Sequence, residues 1–412
     1  MPPKGMLYLK NKLARKRTRV LLRYRYYDMK NSMEYVKTII PSEFTWMAES
    51  LGWCGKAVDS LADRLDFRGF RNDNFDLNTI FHMNNMDILP DSSFLSALIS
   101  SCSFIYICED VSGFPRMEVI SGADATGEID TATYLLREGY AVLERDKNGN
   151  AVLEAYFTAG KTEYFTNGKL TRVDTNRAPA PLLVPIIYRP DAIRPFGHSR
   201  ISRACMKQTQ GALRTLFRSE VSAEFYSFPQ KWVSGLSNDT EEFDKWKASI
   251  ATLLAFTKDE EGEAPKIGQF TQQSMTPYIE QLRTFAALFA GETGLTPDDL
   301  GFVTDNPSSE EAIKASHENL RLLARKAQRT FGSGLLNAGY LAACVRDNYP
   351  YTRQQLYQTT PAWNPIFEPD AHTIAAIGDA AVKINQACPG YIGVEALHDI
   401  TGIEPDSQQG VL

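Results

Sequence analysis

The chain has 412 residues, 43 % of them hydrophobic and 23 % charged, and its 44 Lys and Arg against 50 Asp and Glu give a formal net charge of −6. This balance reads as globular, neither disordered nor membrane-embedded, and a net negative body repels the phosphate backbone that a duplex-gripping protein must neutralise. The longest apolar runs, "FAALFA" and "LLVPIIY", fall far below the roughly 18 residues of a bilayer span, and none of the six cysteines forms a C-x-x-C pair, so we expect no membrane partner and free thiols in a reducing compartment.

The first thirty residues carry Lys10, Lys12, Arg15, Lys16, Arg17, Arg19, Arg23 and Arg25 among tyrosines, with no apolar stretch or cleavage pattern of a leader after them. Such a run reads first as a solvated helix face or a flexible arm, and second as a surface for nucleic acid or another subunit. From about 41 to 102 the pattern is helical, in "SEFTWMAESLGWCGKAVDSLADRL" and, after Pro90, in "DSSFLSALISSC". Then the period changes. "SFIYICED" and "RMEVISG" read as strands, "GYAVLERDKNGNAVLEAYFT" as a hairpin turning at Asn148-Gly149, and "TEYFTNGKLTRV" as a second turning at Asn167-Gly168. "LLVPIIY" follows as a buried strand.

A helix of seven to eight turns is expected from Ser199 to just before Pro229. The strand "KWVSGL", the helix "TEEFDKWKASIATLLAFTK", an acidic loop and the strand "KIGQF" make a small insert. Thr276 then caps a helix with Pro277 at its first position, where the missing N–H costs nothing, and Gly294 ends it. After the capped turn in "LTPDDLGFVTDNP", Ser308 and Glu311 have capping-box spacing. Ile313, Leu320, Leu323, Ala327, Phe331, Leu335, Ala338, Ala342 and Val345 then recur at steps of three, four or seven, predicting one apolar helix face held for ~57 Å. "PAWNPIFEP" is extended, and "DAHTIAAIGDAAVKINQAC" and "GVEALHDITG" close the chain as two short helices. The fold class is α+β, mainly α. Two helices bracketing a small knob describe a stalk.

Chemistry is sparse. There is no phosphate-binding glycine loop, no G-x-G-x-x-G and no G-x-S-x-G elbow, and the five histidines lack metal spacing, so neither catalysis nor a cofactor or metal is expected. Trp53, Trp232, Trp246 and Trp363 read as core or subunit-contact residues. One stripe stands out: Arg200, Arg203, Lys207, Arg214 and Arg218 fall at helical spacing on one face, fitting either solvation and inter-subunit ion pairs or a line facing DNA or an acidic partner.

Three segments, taken in order, resemble the portal protein family of tailed bacteriophages. "VPIIYRPDAIRPFGHSRISRACMKQTQGALRTLFRSEVSAEFYSFPQKWVSG" is similar to its apolar strand, G-x-S turn, long helix and aromatic-Pro exit. "FAGETGLTPDDLGFVTDNPSSEEAIKASHENLRLLARKAQRTFG" resembles its TGL-P-x-x-LG element, followed by NP-x-S-x-EAI and a long helix. "PAWNPIFEPDAHTIAAIGDAAVKI" resembles its C-terminal element. The resemblance covers about 180 to 400.

The resemblance implies an α/β wing over 1–198, stem helices over 199–228 and 276–294, and a small α/β clip over 229–275. It further implies a tunnel loop over 295–308, a long wing-crossing helix with its return segment over 309–365, and a short helical crown over 366–412. Phe302, Val303, Thr304, Asp305 and Asn306 would reach toward a channel. Lys231, Trp232, Lys245, Trp246 and Lys247 would meet partners at the clip. The family forms a homo-oligomeric ring, usually of twelve, at one capsid vertex of the virion, assembled in the host cytoplasm. Double-stranded DNA passes through it, and the implied partners are the terminase large subunit, the head–tail adaptor, and the major capsid and scaffolding proteins. The competing readings are a helical scaffold or adaptor without a DNA channel, and an enzyme with its site in the β-rich half.

Overall fold

The computed structural model describes residues 3–31, 50–227, 231–234, 266–269, 274–302 and 316–403. The chain divides into two compact units: Met1–Asn31, Gly52–Met206 and Ala290–Leu412 form the first, and Ser32–Leu51 and Lys207–Phe289 the second.

The first unit opens with α1 (Met6–Tyr27), a helix that keeps Arg15, Arg19 and Arg25 on a solvated face while its other face packs, so the expectation of a flexible arm gives way to that of a helix face. Leu9 and Leu13 of α1 are buried against Tyr140 and Val142 of a five-stranded antiparallel sheet. That sheet has the order β4 (Ala125–Ile129), β5 (Leu136–Arg145), β6 (Ala151–Thr158), β7 (Lys161–Thr166), β8 (Lys169–Thr175). The first lysines of the basic run meet acids on the sheet. Lys10 pairs with Glu154 at 2.7 Å, and Lys12 and Lys4 with Glu128 at 2.6 and 2.9 Å. Glu138, only 2 % exposed, accepts from the backbone N–H groups of Lys4 and Gly5, so a carboxylate sits at the positive end of the helix. Lys10 and Lys12 thereby dock the start of the helix, because each buried acid requires a partner.

The Asn167-Gly168 turn has φ of 49° and 77°, as a two-residue hairpin demands. The other hairpin is wider than expected: only Gly149 has positive φ, and the Asp146 carboxylate accepts from the N–H groups of Asn148 and Asn150. β8 is the outer strand. All its residues but Asp174 are exposed, it carries Lys169, Arg172 and Asp174, and its register shifts between Tyr164 and Phe165.

A second sheet has the order β3 (Pro115–Ile120), β2 (Cys102–Glu109), β9 (Leu183–Ile187), and β9 is buried throughout. The helices α2 (Trp53–Ala62), α3 (Leu77–His82) and α4 (Leu89–Ser100) lie before it in the chain. Between α2 and α3 runs β1 (Phe67–Arg71), within a stretch expected to be helical throughout; it pairs antiparallel with β12 (Thr360–Trp363), so Phe67 faces Trp363. The long helix is α7 (Glu318–Arg346), about 43 Å of rise. Its proposed cap at Ser308 lies outside the described residues. The single apolar face holds only in the N-terminal half: from Gly334 to Val345 every residue is buried, because α7 packs on β9, β2, β12 and α3. The chain's described part ends with α8 (Ala371–Ala387), capped by Asp370, and α9 (Val394–Thr401).

The second unit holds most of α5 (Arg203–Ser227) and α6 (Thr276–Thr293). Its short strands β10 (Lys231–Ser234) and β11 (Lys266–Gln269), both expected as strands, pair antiparallel. The helix expected from "TEEFDKWKASIATLLAFTK" lies outside the described residues.

Candidate functional site

The segment leading into α5 explains why a G-x-S turn is needed there. Gly197 has φ of 74°, and a Cβ on it would lie 2.0 Å from the Tyr188 carbonyl oxygen, so only glycine fits. Two residues on, the Ser199 hydroxyl donates to the Ile99 carbonyl at 2.6 Å and accepts from the Ile201 N–H at 3.0 Å. The turn is thereby fastened to the C-terminal end of α4. His198 bonds Asp191 at 2.6 Å, and that contact, with the backbone N–H groups of Arg194 and Ile193, holds the Asp191 carboxyl down at about 2.

Arg200 departs from its expected place. It precedes α5 and is 6 % exposed, so it cannot head a surface stripe. Its guanidinium donates to the Ala57 carbonyl at 3.1 Å and to the Thr293 carbonyl at 2.5 Å. Thr293 is the last residue of α6, so the cation satisfies the negative end of that helix. Of the other residues at that spacing, Arg203, Lys207 and Arg218 are exposed and Arg214 half-buried.

Within the second unit α5 and α6 interlock. Thr215 Oγ1 donates to Gln281 Oε1 at 3.0 Å, and the Ser222 hydroxyl meets the Tyr278 hydroxyl at 2.9 Å. At Gly211 a Cβ would stand 2.5 Å from the Phe285 ring. Gly211→Val should therefore destabilise the protein by about 1–3 kcal/mol through overpacking, read as a lower urea midpoint. A midpoint at or above the original would show that the ring moves aside freely.

Of the five proposed channel residues, Phe302 is half-buried and rests edge-on against Trp53, with ring centroids 6.4 Å apart. Val303, Thr304, Asp305 and Asn306 lie outside the described residues. So do Lys245, Trp246 and Lys247, whereas Lys231 and Trp232 open β10. Trp53 is buried, and Trp363 is half-buried beside Phe67 and Phe94, as core residues should be. Burial pushes the Cys205 thiol up and the Cys344 thiol to about 11, the direction opposite to that of a nucleophile. In the β-rich half, Tyr106 and Tyr164 share a hydrogen bond of 2.7 Å, and burial holds both phenols protonated. Among the described residues no group of His, Cys, Asp and Glu is arranged to hold a metal ion, and no helix is long and apolar enough to cross a membrane.

No family model matches the chain. Two curated proteins do, both named portal protein. That of Mycobacterium phage L5 is 27 % identical over 383 residues, spanning 87 % of this chain and 77 % of the relative. That of Mycobacterium phage D29 is 27 % identical over 384 residues, with the same shares. Among solved structures, a chain from the virion of a native gene transfer agent particle aligns at a TM-score of 0.44 and 13 % identity, covering 94 % of this chain and 99 % of that one. One from the neck of the native particle aligns at 0.45 and 14 %, with the same coverage. Over most of its length the chain is thus similar to two phage proteins named portal protein.

Proposed function

We propose that copies of this chain close into a ring, dodecameric as in the family, at one vertex of a phage capsid. Its channel would pass double-stranded DNA inward during packaging and outward at ejection. The observation that carries this reading is the match to two proteins named portal protein over 87 % of the chain. The local structure supports it: α5 and α6 fit stem helices, β10 and β11 fit the base of a clip, and α7 fits a rod that crosses a wing. In this reading 1–198 with 309–365 is the wing, 295–308 the tunnel loop and 366–412 the crown.

Phe302, Val303, Thr304, Asp305 and Asn306 would narrow the channel. Arg203, Lys207, Arg214 and Arg218 would line a stem face, and Lys231, Trp232, Lys245, Trp246 and Lys247 would offer the clip surface to the terminase large subunit and later to the head–tail adaptor. The wing would meet capsid and scaffolding proteins as the virion assembles in the host cytoplasm. Twelve copies at −6 each would carry −72, which favours a conduit that does not hold what slides through it.

Light scattering of the purified chain, with negative-stain images of the particles that contain it, tests the proposal. The expected result is a ring of about 550 kDa for twelve copies of 46.1 kDa, with an axial hole. Particles whose vertex lacks rotational symmetry around an opening would overturn it in favour of a helical adaptor.

A further inference from the structure

Two charge clusters in the first unit have no ion-pair partner among the described residues. The first gathers Arg19 and Arg23 of α1, Arg194 of the loop before Gly197, and Arg203 at the start of α5. Arg23 joins these elements: its Nε donates to the Ile201 carbonyl at 3.2 Å, two residues before Arg203, and its Nη1 donates to the Arg19 carbonyl at 3.2 Å. Burial, followed by the charges of Arg19, Arg203 and Arg194, pushes the Arg23 guanidinium below its ordinary value. Nearby acids are engaged elsewhere. Asp191 is held by His198, and Glu292 accepts from the Ser202 hydroxyl at 2.7 Å.

The second cluster gathers Asp63 just after α2, Asp66 before β1, and Asp87 and Asp91 at the start of α4. All four are exposed, and among the described residues none forms an ion pair. Burial, followed by the charges of Asp66, Asp87 and Asp63, pushes the Asp91 carboxyl up. Helix polarity accounts for Asp91, in the first turn of α4, but opposes Asp63 at the C-terminal end of α2. Arg64, beside it in sequence, turns its guanidinium over the Phe367 ring instead, 4.5 Å from the centroid.

The clusters lie at opposite ends of α4. Ser199 and Arg200, which lead to Arg203, bond the carbonyls of Ile99 and Leu98 in its last turn, whereas Asp91 is in its first. From Asp91 to Leu98 and Ile99 the helix rises by about 11–12 Å, beyond a Debye length of about 8 Å at physiological salt, so the two clusters of one chain do not neutralise each other there. We propose that the arginine cluster of one copy seats on the aspartate cluster of the next. Patches of opposite sign at two ends of one rigid element suit a heterologous, head-to-tail contact, the kind that closes by rotation. Four cations meeting four carboxylates favour a second copy over nucleic acid as occupant, since a phosphate backbone would leave the aspartates unpaired and repelled.

This inference rests on the ring proposed above, and charge reversal separates the two. Arg19→Glu with Arg194→Glu, and independently Asp63→Arg with Asp87→Arg, alter exposed side chains and should leave the melting curve of the monomer in place. Each pair is expected to lower ring formation at least tenfold in light scattering, and all four changes in one chain to restore it. A parent chain that forms no ring counts against the functional proposal. A parent that forms rings while either reversed pair assembles as well as it does would overturn the inference, as would failure of the fourfold variant to recover. Unchanged rings that lose retention of a 30-base-pair duplex on Arg19→Glu with Arg194→Glu would reassign the arginines to nucleic acid.

Discussion

Arg200→Ala is expected to lower the free energy of unfolding by about 3 kcal/mol, seen as a reduced urea midpoint with the slope unchanged. The side chain is 6 % exposed and donates to two carbonyls, those of Ala57 and Thr293. Bonds from a charged donor each contribute about 1.5–3 kcal/mol. The Thr293 contact matters most, because it places the cation at the negative C-terminal end of α6. Arg200→Lys keeps the charge but offers a compact ammonium on a shorter reach, so it should recover less than half of the loss. If alanine at this position changes stability by under 1 kcal/mol, the guanidinium is dispensable and water or a neighbouring donor takes over both carbonyls.

The second large effect is Phe331→Ala, expected to cost about 3–5 kcal/mol. Phe331 of α7 is fully buried, stacks on Phe94 of α4 with centroids 4.8 Å apart and planes 9° apart, and has Tyr188 at 6.1 Å. Its removal takes contacts from a helix, a second helix and the loop after β9 at once. Rigid neighbours cannot collapse into the space, so the cavity term adds to the lost transfer energy. Phe331→Leu keeps most of the volume and should cost under about 1.5 kcal/mol. Equal losses for the two variants would mean that the stacking geometry, rather than filled volume, carries the stability.

What could be read from the sequence follows from how far each signal reaches along the chain. The hairpins at Asn148-Gly149 and Asn167-Gly168, the strand "LLVPIIY" and the Thr276-Pro277 helix start were legible because turn and capping residues act on their immediate neighbours. β1 was missed for the opposite reason. "FRGFR" sits between helices, and its partner is Thr360–Trp363, so nothing within ten residues marks it as a strand. Lys10 and Lys12 looked like a loose basic run because Glu154 and Glu128 lie more than a hundred residues away in sequence. Arg200 was placed on a helix by its three-residue step to Arg203, a spacing that an extended turn reproduces by coincidence.

For the candidate site, the G-x-S element could be recognised as a motif, but its cause, the Tyr188 carbonyl pressed against Gly197, is visible only in three dimensions. The arginine cluster was in the sequence as two separate runs. Joining Arg19 and Arg23 to Arg203 requires knowing that α1 packs beside the start of α5 through the Ile201 carbonyl.

The rim of the five-stranded sheet has its own consequence. A flat apolar β8 would offer its free N–H and C=O groups to an identical strand on any copy brought alongside, the first step of cross-β stacking. The slip in pairing after Tyr164, with Lys169, Arg172 and Asp174 along the rim, denies a matching strand both straightness and charge balance. An identical strand brought alongside would therefore meet a bent, charged rim rather than a flat apolar one.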